Sequence, residues 1–243
     1  VARMKQSTPE VRAAIVNTLG RRRDPSALPD LVGALKDPDK IVRLAAVEAV
    51  ACFAMPRALQ ALIAALETDQ PEERKAAQEA LLRIPGDSVL AAVGAALKEA
   101  PPTSLVALLQ VLAARRASAY FDEVLAATEN QEPSVRLAAL KALGNVADPT
   151  TTPRLLDLFL KCSDEAEKSE AQEAVVNACR RVREVEERAA PVLAVMPQTT
   201  GRNRVLLLDA LREIGGSKAL AAVVADTKST DGEIQEAAVR ALS

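Results

Sequence analysis

A short pattern returns along this chain at a fixed interval. Val42-Arg43-Leu44-Ala45-Ala46-Val47-Glu48-Ala49-Val50 comes back as Val135-Arg136-Leu137-Ala138-Ala139-Leu140-Lys141-Ala142-Leu143, and in looser form from Val11, Glu73, Ser104, Ala171, Asn203 and Ile234. At the second residue of each copy stand Arg12, Arg43, Arg74, Leu105, Arg136, Gln172, Arg204 and Gln235, spaced 31, 31, 31, 31, 36, 32 and 31 residues apart. Four equal intervals in succession define a repeat, and a repeat of this length restricts the chain to architectures built by stacking one small unit.

Each unit reads as two helices. Apolar residues recur in steps of three and four, a helix stripe rather than the alternation of a strand. The second stripe of successive units runs through Leu28, Leu31, Val32 and Leu35, then Leu59, Leu62, Ile63 and Leu66, then Leu90, Val93 and Leu97, then Phe121, Val124 and Leu125. Asp24-Pro25 and Asp148-Pro149 break the two helices of a unit, and Asp37-Pro38 separates units, because proline suits a first helical turn and stops what precedes it. Ser7 or Thr8 before Pro9 reads as a start, and Gly20, Gly144 and Gly215 read as C-terminal stops. Hydrophobic residues make up 49% of the 243 but aromatics only 2%, so the core rests on Ala, Leu and Val. Two short amphipathic helices cannot bury their apolar faces alone; stacked pairs can. The expectation is an all-α chain, a right-handed α-α superhelix of about seven and a half two-helix repeats, forming one domain over residues 1–243.

The acidic-Pro turn, the Val-Arg step, the Ala pair and the closing Leu-Gly resemble HEAT repeats, in the short branch associated with phycobilisome lyases. They are clearest in Asp37-Pro38-Asp39-Lys40-Ile41-Val42-Arg43-Leu44-Ala45-Ala46 and in Pro133 to Gly144. The likeness runs over nearly the whole chain, although Leu105, Gln172 and Gln235 break the arginine column. It implies a superhelix whose concave side is lined by second helices. It does not imply one activity, since similar proteins include scaffolds, transport factors, chromophore lyases and nucleic-acid repair enzymes. Residues 1–6 read as the tail of a preceding helix and the eighth unit stops after its first helix, which suggests part of a longer chain.

Catalytic chemistry finds little support in the residues. The chain has no histidine, which removes imidazole acid–base catalysis and the commonest nitrogen metal ligand. Cys52, Cys162 and Cys179 form no CxxC and read as small core residues. A formal net charge of −2 gives no general attraction to nucleic acid or anionic membrane, and no apolar run is long enough to span a bilayer. The expectation is a non-enzyme, without cofactor or metal, that binds a protein or peptide partner. The alternative is a chromophore-lyase-like protein or an accessory module of a larger bacterial enzyme. The sequence assigns no compartment.

Two surfaces are candidates for that binding. Arginines gather after the first helices at Arg21, Arg22, Arg23, Arg83, Arg115, Arg116, Arg180, Arg181, Arg183 and Arg212, while acids gather before them. Charges so placed complement the helix dipole; the basic edge could equally dock an acidic partner. On the concave face the repeat register brings forward Gln60, Tyr120, Asp122 and Asp157 among small residues. The column arginines are expected to pair with carboxylates of neighbouring units, a ligand-facing role being the other reading. The long interval before Gln172 calls for an insertion, either at 148–152, at 163–169, or as a longer helix pair.

Overall fold

The computed structural model describes residues 7–243; the expected helical tail at residues 1–6 lies outside them. Among the described residues all regular structure is helical. First and second helices alternate as α1 (Pro9–Arg22) and α2 (Leu28–Ala34), α3 (Lys40–Val50) and α4 (Pro56–Ala65), α5 (Pro71–Arg83) and α6 (Ser88–Ala96), α7 (Pro102–Ala114) and α8 (Phe121–Ala126). They continue as α9 (Pro133–Val146) and α10 (Thr152–Lys161), α11 (Glu165–Arg180) and α12 (Ala190–Val195), α13 (Gly201–Ile214) and α14 (Ser217–Asp226), and α15 (Gly232–Ala241). That is the expected order of seven pairs and a lone first helix.

The chain divides into two compact units, one through Arg115 and the other Arg116–Ser243. In the first, α1, α3, α5 and α7 pack side by side in one layer, and α2, α4 and α6 in another. In the second, α9, α11, α13 and α15 make one layer, and α10, α12 and α14 the other. Proline sits in the first turn of α1, α4, α5, α7 and α9, where no hydrogen bond is lost. Asp39, Asp164 and Asp231 cap α3, α11 and α15 through their carboxylates. Thr8 precedes α1 but makes no side-chain cap. Ala45, Ala46, Ala138 and Ala139 are buried between layers, as the pattern implied.

Gly20 and Gly144 are not helix stops. Both lie inside their helices, and both are buried. A Cβ on Gly20 would stand 2.6 Å from the Cα of Ala49, so glycine there lets α1 and α3 touch backbone to backbone. Over Gly144 the nearest atom is the flexible Asn177 Nδ2, at 3.3 Å. Gly215 does end its helix, at φ 73°. The equivalent residue after α1 is Arg23, at φ 52°, and after α7 is Arg116, at φ 50°. An L-residue in this left-handed region costs roughly 1–2 kcal/mol.

The extra residues of the long interval are shared between α11, two residues longer than α1, α9 and α13, and the connection 181–189 that follows it, where α1–α2, α3–α4 and α9–α10 have five residues. Column residues stand fourth in α1, α3, α5, α7, α9, α13 and α15, but Gln172 stands eighth in α11, which at 16 residues is the longest helix described. Lys168 occupies the fourth position instead. Counting by sequence likeness alone aligned the end of α11 and missed its start.

Candidate functional site

The column arginines work inside the fold. Arg43 grips the Glu73 carboxylate with Nε at 3.0 Å and Nη2 at 2.7 Å, while Nη1 donates to the carbonyls of Asp37 and Pro38, both at 2.8 Å. Arg136 bonds Glu167 at 2.7 Å and the carbonyls of Asn130 and Gln131. Glu73 and Glu167 are both third in the following first helix. In α13 that position is Asn203, and Lys168 donates to it at 2.8 Å. Where the third residue is apolar, an acid from the end of the second-helix segment substitutes. Arg12 takes Asp37 at 2.8 and 3.0 Å, and Arg204 takes Asp226 at 2.7 Å through both nitrogens. Arg74 departs from the expected carboxylate pairing: the third residue of α7 is Ser104, and among the described residues the Arg74 side chain bonds the carbonyls of Leu66 and Thr68 and no carboxylate.

Arg12, Arg43, Arg136 and Arg204 also donate to carbonyls of the turn before their own helices, so one guanidinium fixes both turn and stack. The Arg12 guanidinium holds the Asp37 carboxyl below its ordinary range. Among the described residues no buried side-chain nitrogen or oxygen lacks a partner, and no cluster of three or more His, Cys, Asp or Glu could hold a metal. Cys179 is buried, which pushes its thiol up to about 11; Cys52 and Cys162 are half-buried rather than core.

The basic edge separates into two sets. Arg115 donates to the carbonyls of Ile84 at 2.6 Å and Gly86 at 2.8 Å, and Arg181 to those of Gly144 at 2.9 Å and Ala147. Arg180 bonds the Glu213 carbonyl, and Arg83 bonds the Glu48 carboxylate. The last carbonyls of a helix lack internal partners, and a guanidinium from the next repeat supplies donors. Burial, then the neighbouring charge of Arg116, lowers the Arg181 pKa. Arg21, Arg22, Arg23, Arg116 and Arg212 are exposed and make no side-chain hydrogen bond or ion pair among the described residues. The acidic edge divides likewise: Asp39, Asp164 and Asp231 accept from backbone N–H groups of their own helices, while Asp37, Glu72, Glu73 and Glu165 pair with Arg12, Lys40, Arg43 and Arg202.

The second-helix face of the first unit carries two adjoining troughs. One, of about 540 Å3, has Val32, Leu35 and Val47 in its wall; the other, of about 570 Å3, has Leu59, Ile63 and Ala92. Ala64 and Glu67 of the α4 segment line both. Both troughs open to solvent, and Gln60 lies on the rim of the second. In the second unit Asp122 pairs with Arg154, whose guanidinium sits 5.0 Å from the centre of the Phe121 ring. Phe121 is core, as expected; Tyr120 is half-buried; Asp157 is exposed. The troughs were not legible in the sequence, since Val32, Leu35 and Ile63 are half-buried aliphatics that read as core, and Val47 and Leu59 beneath them are core.

The HEAT repeats family profile matches residues 1–82 and 90–176, more than half of the chain. The chain belongs to that family. Among solved structures it is similar to the complex of CpcE and CpcF of phycocyanin lyase from Nostoc sp. PCC7120, at 18% identity over 97% of this chain and 88% of that one, with a TM-score of 0.38. It is also similar to an engineered protein, at 19% identity over 95% and 87% of the two chains, with a TM-score of 0.25. At these scores neither likeness carries a functional argument. A comparison with curated proteins finds no match. Among the described residues no helix is long and apolar enough to cross a membrane.

Proposed function

We propose that this HEAT-repeat chain is a non-catalytic protein-binding scaffold, and that the paired troughs flanking α4 receive an amphipathic helix of its partner. The supporting observation is a division of labour. Column cations and buried acids are committed to holding repeats together, including the Arg43–Glu73 pair that lines part of the first trough, whereas the α4 face keeps part-exposed Val32, Leu35 and Ile63 beside the polar Lys36, Gln60, Glu67 and Gln70. That chemistry suits a helix carrying aliphatic side chains on one face and polar ones at its margins. Small residues on the ridge, Ala61, Ala64 and Ala65, let a helix backbone approach closely.

The test is site-directed photo-crosslinking in the native source. A photoreactive residue at Ala64 or Ala95 is expected to capture one recurring partner segment of amphipathic helical sequence. The same probe at exposed Lys75 should not. Loss of capture from the Ala95 probe in an Ala64→Glu background supports the reading; equal capture at all three positions, or none, contradicts it.

A further inference from the structure

The arginine at the end of α1 stands in a backbone conformation that glycine adopts without strain. Arg23 has φ 52°, and the corresponding residue closing α13 is Gly215, at φ 73°. A left-handed non-glycine residue persists where something besides local backbone preference keeps it. Here the side chain has no structural use: Arg23 is exposed and, with Arg21 and Arg22, makes no side-chain hydrogen bond or ion pair among the described residues. This contrasts with Arg83 and Arg115, in the same unit and also at first-helix ends, which bond Glu48 and the carbonyls of Ile84 and Gly86. The nearest acid in sequence, Asp24, accepts from the Ser26 hydroxyl and backbone N–H and feels the charge of Arg22 without forming an ion pair with it.

We propose that Arg21, Arg22 and Arg23 form a docking surface for a carboxylate-rich segment of a partner protein, and that arginine is kept at position 23 for its side chain despite the backbone strain. A guanidinium presents a planar fork matched to carboxylates, so three on one exposed turn suit a run of Asp or Glu. Nucleic acid is a poorer fit. The chain carries a net charge of −2, one Tyr, three Phe and no Trp, whereas single strands are held by a long basic groove with stacking aromatics. The inference rests on the protein-binding reading but not on the α4 troughs, so each can fail separately.

Fluorescence anisotropy with a labelled oligoglutamate peptide tests it, alongside thermal unfolding of the same samples. Arg23→Gly is expected to raise the unfolding midpoint and weaken peptide binding about two- to five-fold, since single exposed pairs are weak. Arg21→Ala/Arg22→Ala/Arg23→Gly should lose at least about ten-fold, and added salt should weaken the wild type. Lys98→Gln, an exposed charge elsewhere on the first unit, should change nothing. A raised midpoint with unchanged peptide affinity would show the arginine is incidental and overturn the proposal. So would an unraised midpoint, an equal loss in Lys98→Gln, no binding by the wild type at low salt, or tighter binding of a charge-matched oligothymidylate. Peptide binding by a protein whose Ala64 and Ala95 probes capture no partner helix would leave this surface standing while the α4 reading fell.

Discussion

Replacing Gly20 by alanine should weaken the first unit, although alanine is the better helix former. The new Cβ would lie 2.6 Å from the Cα of Ala49, 2.7 Å from its Cβ and 3.2 Å from its carbonyl oxygen. Carbon atoms in contact rest at about 3.5–4.0 Å, so α1 and α3 must part by roughly 1 Å. Overpacking of this kind costs typically about 1–3 kcal/mol. The gain in helix propensity returns at most about 1 kcal/mol. The net expectation is a loss of about 1–2 kcal/mol, with each kcal/mol lowering the midpoint by roughly 2–8 °C for a body of this size. Urea unfolding followed by circular dichroism measures it, and amide exchange along α1 localises it. Adding Ala49→Gly should restore only part of the loss, because the Cα of Ala49 still obstructs. An unchanged or stabilised Gly20→Ala protein would refute backbone contact between α1 and α3.

The other glycines predict opposite outcomes. Gly33 has no atom within 4 Å of its missing Cβ, so Gly33→Ala should stabilise by about 0.5–1 kcal/mol in the same assay; Gly144→Ala should be near neutral, since only the Asn177 side chain must move. A double-mutant cycle on Arg43→Met and Glu73→Gln should give a coupling of about 1–3 kcal/mol, against less than about 0.5 kcal/mol for the exposed Lys40 and Glu72 pair. The folded-state pKa of Asp37 is lowered by Arg12; its stabilisation is therefore complete above the unfolded value of about 3.9 and is lost as pH falls through the folded value. Asp37→Asn should flatten the acid limb of the stability profile, and an unaltered limb would contradict the pairing. Thiol labelling at pH 8 should modify Cys52 and Cys162 well before Cys179, whose pKa is about 11.

Much of the fold was legible because the repeat displays it many times over. Val42 and Val135, read as equivalents, are both completely buried, and the lone first helix α15 stands where the register put it. Legibility ended where one residue type can serve two geometries. Glycine near a helix end signals a stop or a close approach, and only the neighbouring helix distinguishes Gly20 from Gly215. Likewise the 36-residue interval recorded an insertion but not its form, because Gln172 resembles the column and Lys168 does not. At the candidate surfaces, charge runs were visible, yet which arginines were already committed depended on carbonyls of the adjacent repeat. The sequence cannot show that Arg115 bonds the Ile84 carbonyl while the Arg23 side chain makes no hydrogen bond or ion pair among the described residues.

The most direct measurement of the scaffold reading is the crosslinking map across the α4 face. Photoreactive residues at Ala64 and Ala95 should yield the same partner helix, at staggered residues along it. The Lys75 probe, and the Ala95 probe in an Ala64→Glu background, should yield no adduct. Adducts independent of position, or a face that captures nothing while the chain turns over a substrate, would contradict a protein-binding scaffold.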